Sequence, residues 1–190
     1  MRVGILAVQG AVREHADAFA HLGVDTVAVK QPHELEGVDA LVLPGGESTT
    51  MSMLLERSEL FDPVAKLLAD GVPALGTCAG MILLATDVLD GRADQRNFGA
   101  IDIGVRRNAW GRQVDSFETE LRIDGFGSDF HAVFIRAPRV ERVGDDVEVL
   151  ACVDDEPVLC RSGSIVVSSF HPELSGDFRI HQLFLEGVSS

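Results

Sequence analysis

Val72-Pro73-Ala74-Leu75-Gly76-Thr77-Cys78-Ala79-Gly80-Met81-Ile82-Leu83-Leu84-Ala85 decides how this chain folds and where its chemistry sits. The apolar run before Gly76 reads as a buried strand, and Met81–Ala85 as the start of a helix. Between them a cysteine stands among glycines, Gly76-Thr77-Cys78-Ala79-Gly80. A reactive side chain on such a strand-to-helix turn is the pattern of a nucleophile elbow. The glycines are needed because larger side chains in so sharp a turn would meet neighbouring backbone. A thiol at a helix N-terminus also sits near roughly half a unit of positive charge, which favours the thiolate.

Working outward, the first half of the chain alternates. Val3–Val8 reads as a strand, Val12–Leu22 as a helix ending at Gly23, Val24–Val29 and Ala40–Leu43 as strands, and Ser48–Glu56 and Leu60–Ala69 as helices. Strands apolar on both faces, separated by helices, predict a parallel sheet covered on both sides. The second half offers short strands at Glu118–Ile123, Ala132–Ile135, Val147–Val153, Pro157–Arg161 and Ile165–Ser169, with a closing helix over Asp177–Gly187. Their turn-rich spacing predicts antiparallel additions. Asp87–Asn97 reads as an exposed loop. The expectation is an α/β fold: one three-layer domain over residues 1–190, with a largely parallel central sheet and antiparallel strands added in the second half.

Bulk properties narrow the function. The chain has 190 residues, 46% hydrophobic and 24% charged, with a formal net charge of −14. Such acidity disfavours nucleic acid and anionic membrane as partners. No apolar run is long enough to span a bilayer, and the N-terminal run flows directly into a polar helix rather than a cleavage site. Three cysteines make no even disulfide set, which points to a reducing cytoplasm. They show no ligand spacing with histidine, so neither a metal nor another cofactor is expected.

Ligands of open parallel sheets gather at the C-terminal ends of strands. Pro44-Gly45-Gly46-Glu47-Ser48, Cys78 and Ser169-Phe170-His171-Pro172-Glu173 all occupy such ends. In an extended segment, residues two apart point the same way, so Glu173 can orient one nitrogen of His171 while the other faces Cys78. An imidazole both removes the thiol proton and returns one to a leaving group, and the carboxylate fixes its tautomer. Cys78, His171 and Glu173 are therefore the candidate catalytic residues. Ala79 N–H and the turn at Gly45 and Gly46 are candidate oxyanion donors, and Ser48 a candidate helix cap.

In order, Pro-Gly-Gly, Gly-x-Cys-x-Gly and His-Pro-Glu resemble the class I, triad-type glutamine amidotransferases. Further segments narrow the resemblance: Gln9-Gly10-Ala11-Val12-Arg13-Glu14-His15, Pro44-Gly45-Gly46-Glu47-Ser48-Thr49-Thr50-Met51, Arg107-Asn108 with Gly111-Arg112-Gln113-Val114-Asp115-Ser116-Phe117-Glu118, and Phe134-Ile135-Arg136-Ala137-Pro138. Over nearly the whole chain these are similar to the glutaminase-subunit family of pyridoxal 5'-phosphate synthases. The resemblance implies hydrolysis of L-glutamine to L-glutamate and ammonia. The ammonia passes to a synthase subunit, an oligomeric β/α barrel that makes pyridoxal phosphate (vitamin B6). It also implies glutamine binding by Gly46, Glu47, Ser48, Arg107, Ile135 and Arg136, and a partner interface at Gln9, Arg13, Glu14 and His15. Trp110 departs from the pattern, which has a smaller aromatic residue there.

Plainer readings compete. A lone cysteine is most often a small buried hydrophobe, and Cys152 and Cys160, without an elbow around them, read as core. His21, His33 and His181 read as surface or packing residues, and His131 lacks an obvious partner. Arg106 and Arg107 could be a solvated pair. Other functions keep part of the pattern: a glutaminase for another acceptor synthase, a DJ-1/PfpI-like cysteine hydrolase, or a non-catalytic subunit. The first would keep the triad but not the specific segments, the second generally lacks His-Pro-Glu on a late strand, and the complete Cys/His/Glu set argues against the third.

Overall fold

The structure, a computed structural model, describes residues 1–92, 94–107 and 116–188. Its centre is a seven-stranded sheet built from β1 (Arg2–Leu6), β2 (Asp25–Val29), β3 (Ala40–Leu43), β4 (Ala74–Thr77), β10 (Glu148–Val153), β11 (Glu156–Ser162) and β12 (Ile165–Ser168), in the order β10-β11-β12-β4-β3-β1-β2. From β12 to β2 every pairing is parallel, and β10 and β11 extend the sheet antiparallel.

Strand alternation splits the core into two layers. In β3, Leu41 and Leu43 face one layer and Ala40 and Val42 the other. The first layer is packed by α2 (Ser48–Arg57), α3 (Phe61–Ala69), α4 (Ala79–Leu84) and the three-stranded sheet β5 (Ala85–Val88), β6 (Ile101–Arg106) and β9 (Arg139–Val143). The second is packed by α1 (Val12–His21), α5 (Arg179–Val188) and the antiparallel ribbon β7 (Ser116–Leu121) with β8 (Phe130–Ile135). Phe19, Phe130, Phe134, Phe170 and Phe184 are fully buried there. Among the described residues no helix is long and apolar enough to cross a membrane.

The fold class matches the expectation, with local corrections. The helix after Cys78 begins at Ala79 and lasts only six residues. It stops because Phe98 and Ala100 donate their N–H groups to the carbonyls of Leu83 and Leu84, drawing the chain into the second sheet. Ala85 then opens β5, so the expected loop 87–97 begins inside a strand. Its end is tied down: Arg96 pairs with Asp62 and lies over the Phe61 ring, and Asn97 donates to the carbonyls of Ala85 and Thr86. Strands β5, β6 and β9 have no counterpart in the sequence reading.

Candidate active site

Strand pairing builds the site. β4 lies between β3 and β12, with Gly76 opposite both Leu43 and Val167. The segments leaving these three strands therefore emerge side by side. Cys78 follows β4 with φ 50° and ψ −104°, a left-handed conformation that costs a residue with a side chain of order 1–3 kcal/mol. Its N–H is held by the Ser168 carbonyl at 2.8 Å. A Cβ at Gly80 would stand 1.9 Å from the Leu43 carbonyl oxygen, and one at Gly76 2.6 Å from Leu84 Cδ1. Glycine at both positions lets α4 close onto the sheet directly under the cysteine.

His171 follows β12. Its N–H donates to the Val133 carbonyl at 2.8 Å, and Phe170 before it is packed against Phe130 and Phe134. Through Nδ1 the ring meets Glu173 Oε1 at 2.8 Å, and on its other side it interacts with Cys78. Glu173 does not sit in an extended segment, as the sequence suggested. Pro172–Leu174 forms a turn of 3₁₀ helix, and this tighter turn brings the carboxylate back to the imidazole. Burial works against a charged His171, but the bonds from Cys78 and Glu173 outweigh it and raise its pKa to about 10. Burial likewise opposes ionisation of Glu173, yet the His171 hydrogen bond leads the influences that lower its pKa. The Cys78 sulfur also lies 3.8 Å from the Ile135 carbonyl oxygen.

The turn after β3 closes over this pair. A Cβ at Gly45 would come within 2.3 Å of His171 Cε1, so only glycine lets the turn lie on the imidazole. Glu47, not Ser48, caps α2: its carboxylate accepts from Thr49 N–H at 3.1 Å, Thr50 N–H at 2.7 Å and the Thr50 hydroxyl at 2.7 Å. Burial works against ionisation here too, but the donors of Thr50 and Thr49 prevail and hold the carboxyl below its ordinary range. Ser48 is the buried first residue of the helix.

Arg107 is no solvated pair-mate of Arg106. Arg106 forks onto Glu141, whereas Arg107 turns in to donate to Thr49 Oγ1 at 2.5 Å and Gln95 Oε1 at 3.1 Å, with Glu47 Oε1 3.8 Å away. Arg136 leaves β8 at φ 44°, which bends the chain at the rim. A cavity of about 410 Å³ joins these parts. It is lined by Cys78 and His171 and by every expected glutamine-binding residue: Gly46, Glu47, Ser48, Arg107, Ile135 and Arg136. Gly45 and Gln9 line it as well. Ala79 opens α4 beside the sulfur. Ile82 and Leu174 also line the cavity, and Thr49 and Gln95 hold Arg107. None of these four was singled out from sequence; Gln95 lay in what read as an exposed loop.

Four expectations fare differently at the proposed interface. Gln9, Arg13 and Glu14 are exposed, and Gln9 Oε1 accepts the Glu47 N–H at 3.1 Å. His15 is wholly buried behind Glu173 and cannot meet a partner directly, because the α1 face that carries it packs inward. His181, read as surface or packing, is fully buried against it. His131, which seemed partnerless, hydrogen-bonds Glu120 and Glu118. Cys152 is exposed rather than core, whereas Cys160 is buried and burial pushes its thiol up to about 12. Asn108, Trp110 and the segment 111–115 lie outside the described residues.

Comparison with known proteins places this geometry. The SNO glutamine amidotransferase family matches residues 5–190. A protein of Mycobacteroides abscessus, named pyridoxal 5'-phosphate synthase subunit PdxT, is 58% identical over 98% of this chain and 96% of its own length. A protein of the same name from Rhodococcus opacus is 56% identical, again over 98% of this chain and 96% of its own. A solved structure described as a glutamine amidotransferase superposes with a TM-score of 0.93 at 46% identity, covering 99% of each chain. With an elbow cysteine, a histidine and a glutamate meeting at the sheet rim, and with relatives this similar along the whole length, the chain belongs to the SNO glutamine amidotransferase family.

Proposed function

We propose that this chain is the glutaminase subunit of a pyridoxal 5'-phosphate synthase, with residues 1–190 acting as one glutaminase domain. The observation that carries the reading is a cavity that presents Cys78, His171, Arg107 and Arg136, with Glu173 buried behind the His171 ring and bonded to it. At about 410 Å³ the cavity falls within the usual range for small-molecule sites, about 300–1,000 Å³.

Glutamine enters with its α-carboxylate toward Arg107 and Arg136, since guanidinium groups bind carboxylates in a forked geometry. Gly46, Glu47, Ser48 and Ile135 frame the rest of the amino-acid head. The side-chain amide carbon then meets the Cys78 sulfur. Attack forms an S–C bond and a tetrahedral oxyanion, received by N–H groups of Ala79 and the Gly45–Gly46 turn. His171, its pKa raised to about 10, carries the proton that the departing nitrogen needs, and ammonia leaves as the C–N bond breaks. His171, now neutral, takes a proton from water, which attacks the thioester. Glutamate departs and the sulfur is restored. Glu173 fixes the ring throughout.

The ammonia is handed to the synthase partner, which we read as an oligomeric β/α barrel docking near Gln9, Arg13 and Glu14. Three unpaired cysteines, one of them exposed, suit a cytoplasmic setting. The test is ammonia release from glutamine, measured with and without the synthase. Release should rise sharply with the partner, and a glutamine-mimicking diazoketone should label Cys78 alone. Labelling of Cys152 or Cys160 in its place, or hydrolysis by Cys78→Ala, would overturn the reading.

A further inference from the structure

We propose that His15 and His181 extend the triad on its buried side, as a neutral imidazole pair that aims a hydrogen-bond donor at Glu173 and keeps its carboxylate aligned on His171. This rests on the triad reading above. His15 stands on α1 and His181 on α5, and neither is exposed. His15 Nδ1 is 3.0 Å from His181 Nε2. On its other side His15 Nε2 lies 3.2 Å from Thr77 Oγ1, the residue before the nucleophile, and 3.5 Å from Glu173 Oε2.

Two bare atoms fix where the protons go. Among the described residues, Glu173 Oε2 and His181 Nδ1 are buried without a hydrogen-bond partner. An orphaned buried N–H is rarer in proteins than an under-satisfied acceptor, so the bare His181 Nδ1 is assigned as a lone pair. The His181 proton is then on Nε2 and is donated to His15 Nδ1. That leaves the His15 proton on Nε2, between Thr77 Oγ1 and Glu173 Oε2. The second carboxylate oxygen therefore faces the N–H of a neutral imidazole 3.5 Å away.

Neutrality matters to the chemistry. A charged His15 would compete with protonated His171 for one carboxylate and repel it. Burial, the leading influence, lowers the pKa of both buried histidines, that of His181 to about 3. The titratable groups around Glu173 are His171 on its own turn with Cys78 beyond it, His15 and Glu14 on α1, and His181 on α5. A pair serving only as packing would be indifferent to the state of that carboxylate.

The test compares His15→Leu, His15→Gln and His181→Phe in the complex with the synthase, as pH profiles of glutamine hydrolysis. Loss of the donor makes Glu173 easier to protonate, so the acidic limb of kcat/KM moves to higher pH in His15→Leu. Its kcat falls about tenfold, as expected for one hydrogen bond to a charged group, with KM little changed. His15→Gln keeps an N–H near the Nε2 position and restores most of the rate and the limb. His181→Phe shifts the limb in the same sense by less. A wild-type limb in His15→Leu, or a loss of rate that glutamine does not rescue, overturns the proposal. Should His15→Leu fail to fold in a urea titration, His15→Gln and the ring-conserving His181→Phe decide it: a limb unmoved by His181→Phe overturns the proposal and a limb moved upward supports it. Cys78→Ala measured in parallel separates the two levels, since activity there breaks the triad reading itself.

Discussion

The two sides of the Glu173 carboxylate hold histidines in opposite states. On the cavity side His171 is raised to about 10; on the interior side His181 is lowered to about 3. Both are buried, and burial alone pushes either one toward neutrality. What separates them is their partners. His171 bonds a carboxylate and interacts with a sulfur, whereas among the described residues the His181 ring bonds another imidazole. One region favours a bound proton, and the other a neutral pair. A histidine's role thus follows from what its second nitrogen meets.

The largest expected break of that contrast is Cys78→Ala. Glutamine hydrolysis in the synthase complex should fall by roughly 10⁴-fold or more, as when a covalent nucleophile is removed. The urea midpoint should hardly move, because a small buried side chain is exchanged for another. Stability loss without activity loss would show that the elbow is structural.

Next comes Gly45→Ala. Its Cβ would stand 2.3 Å from His171 Cε1, so either the turn or the ring must shift. A misplacement near 1 Å costs about 100-fold in rate, read as kcat/KM of the complex. Wild-type activity would mean that the turn yields and the ring does not.

The interior side is reached through pH. His181 has an ordinary pKa of 6.5 and about 3 in the folded chain, so the unfolded chain binds the proton first as pH falls. The stability this group contributes is therefore complete above about pH 6.5 and is lost on descending toward pH 3. Within that window one such proton gives a slope of about 1.4 kcal/mol per pH unit. His181→Phe should flatten the urea-derived stability profile by about that slope. His171 runs the other way: its contribution is complete below its ordinary pKa of 6.5 and is lost as pH rises through about 10.

The smallest effect concerns a second cavity-side carboxylate held by neutral donors. Glu47→Ala removes the α2 cap and should cost about 1 kcal/mol in thermal unfolding. It also frees Arg107 from one acid, so KM for glutamine should change more than kcat.

Much of the site was legible because its signals are local. Glycines around a cysteine, a Pro-Gly-Gly turn and a histidine two residues from a glutamate each depend on neighbours in the chain, and strand ends supply a shared rim. Arg107 was reached through family resemblance, while of the residues that hold it Thr49 was given no role, though its segment carried the resemblance, and Gln95 was not found. Gln95 carries no local signal: its value comes from a polar segment folded back across α2. His15 misled for the same reason. Its motif suggested a surface, but the inward face of α1 decided otherwise. Strands β5, β6 and β9 escaped because short stretches of mixed polarity such as Ala85–Val88 and Arg139–Val143 acquire strand character only when another edge pairs with them.

The sequence by itself determined the parallel core and the elbow, since periodicity and glycine placement act over a few residues, and its motifs carried the resemblance to the family and the proposal of Cys78, His171 and Glu173 as a triad. Tertiary structure alone decided the strand order that sets Cys78 between Gly45 and His171, the 3₁₀ turn that aims Glu173, and the depth of His15 and His181. Those outcomes depend on which distant segments exclude water from one another, and burial together with the partner it supplies is what fixes the charge of each histidine.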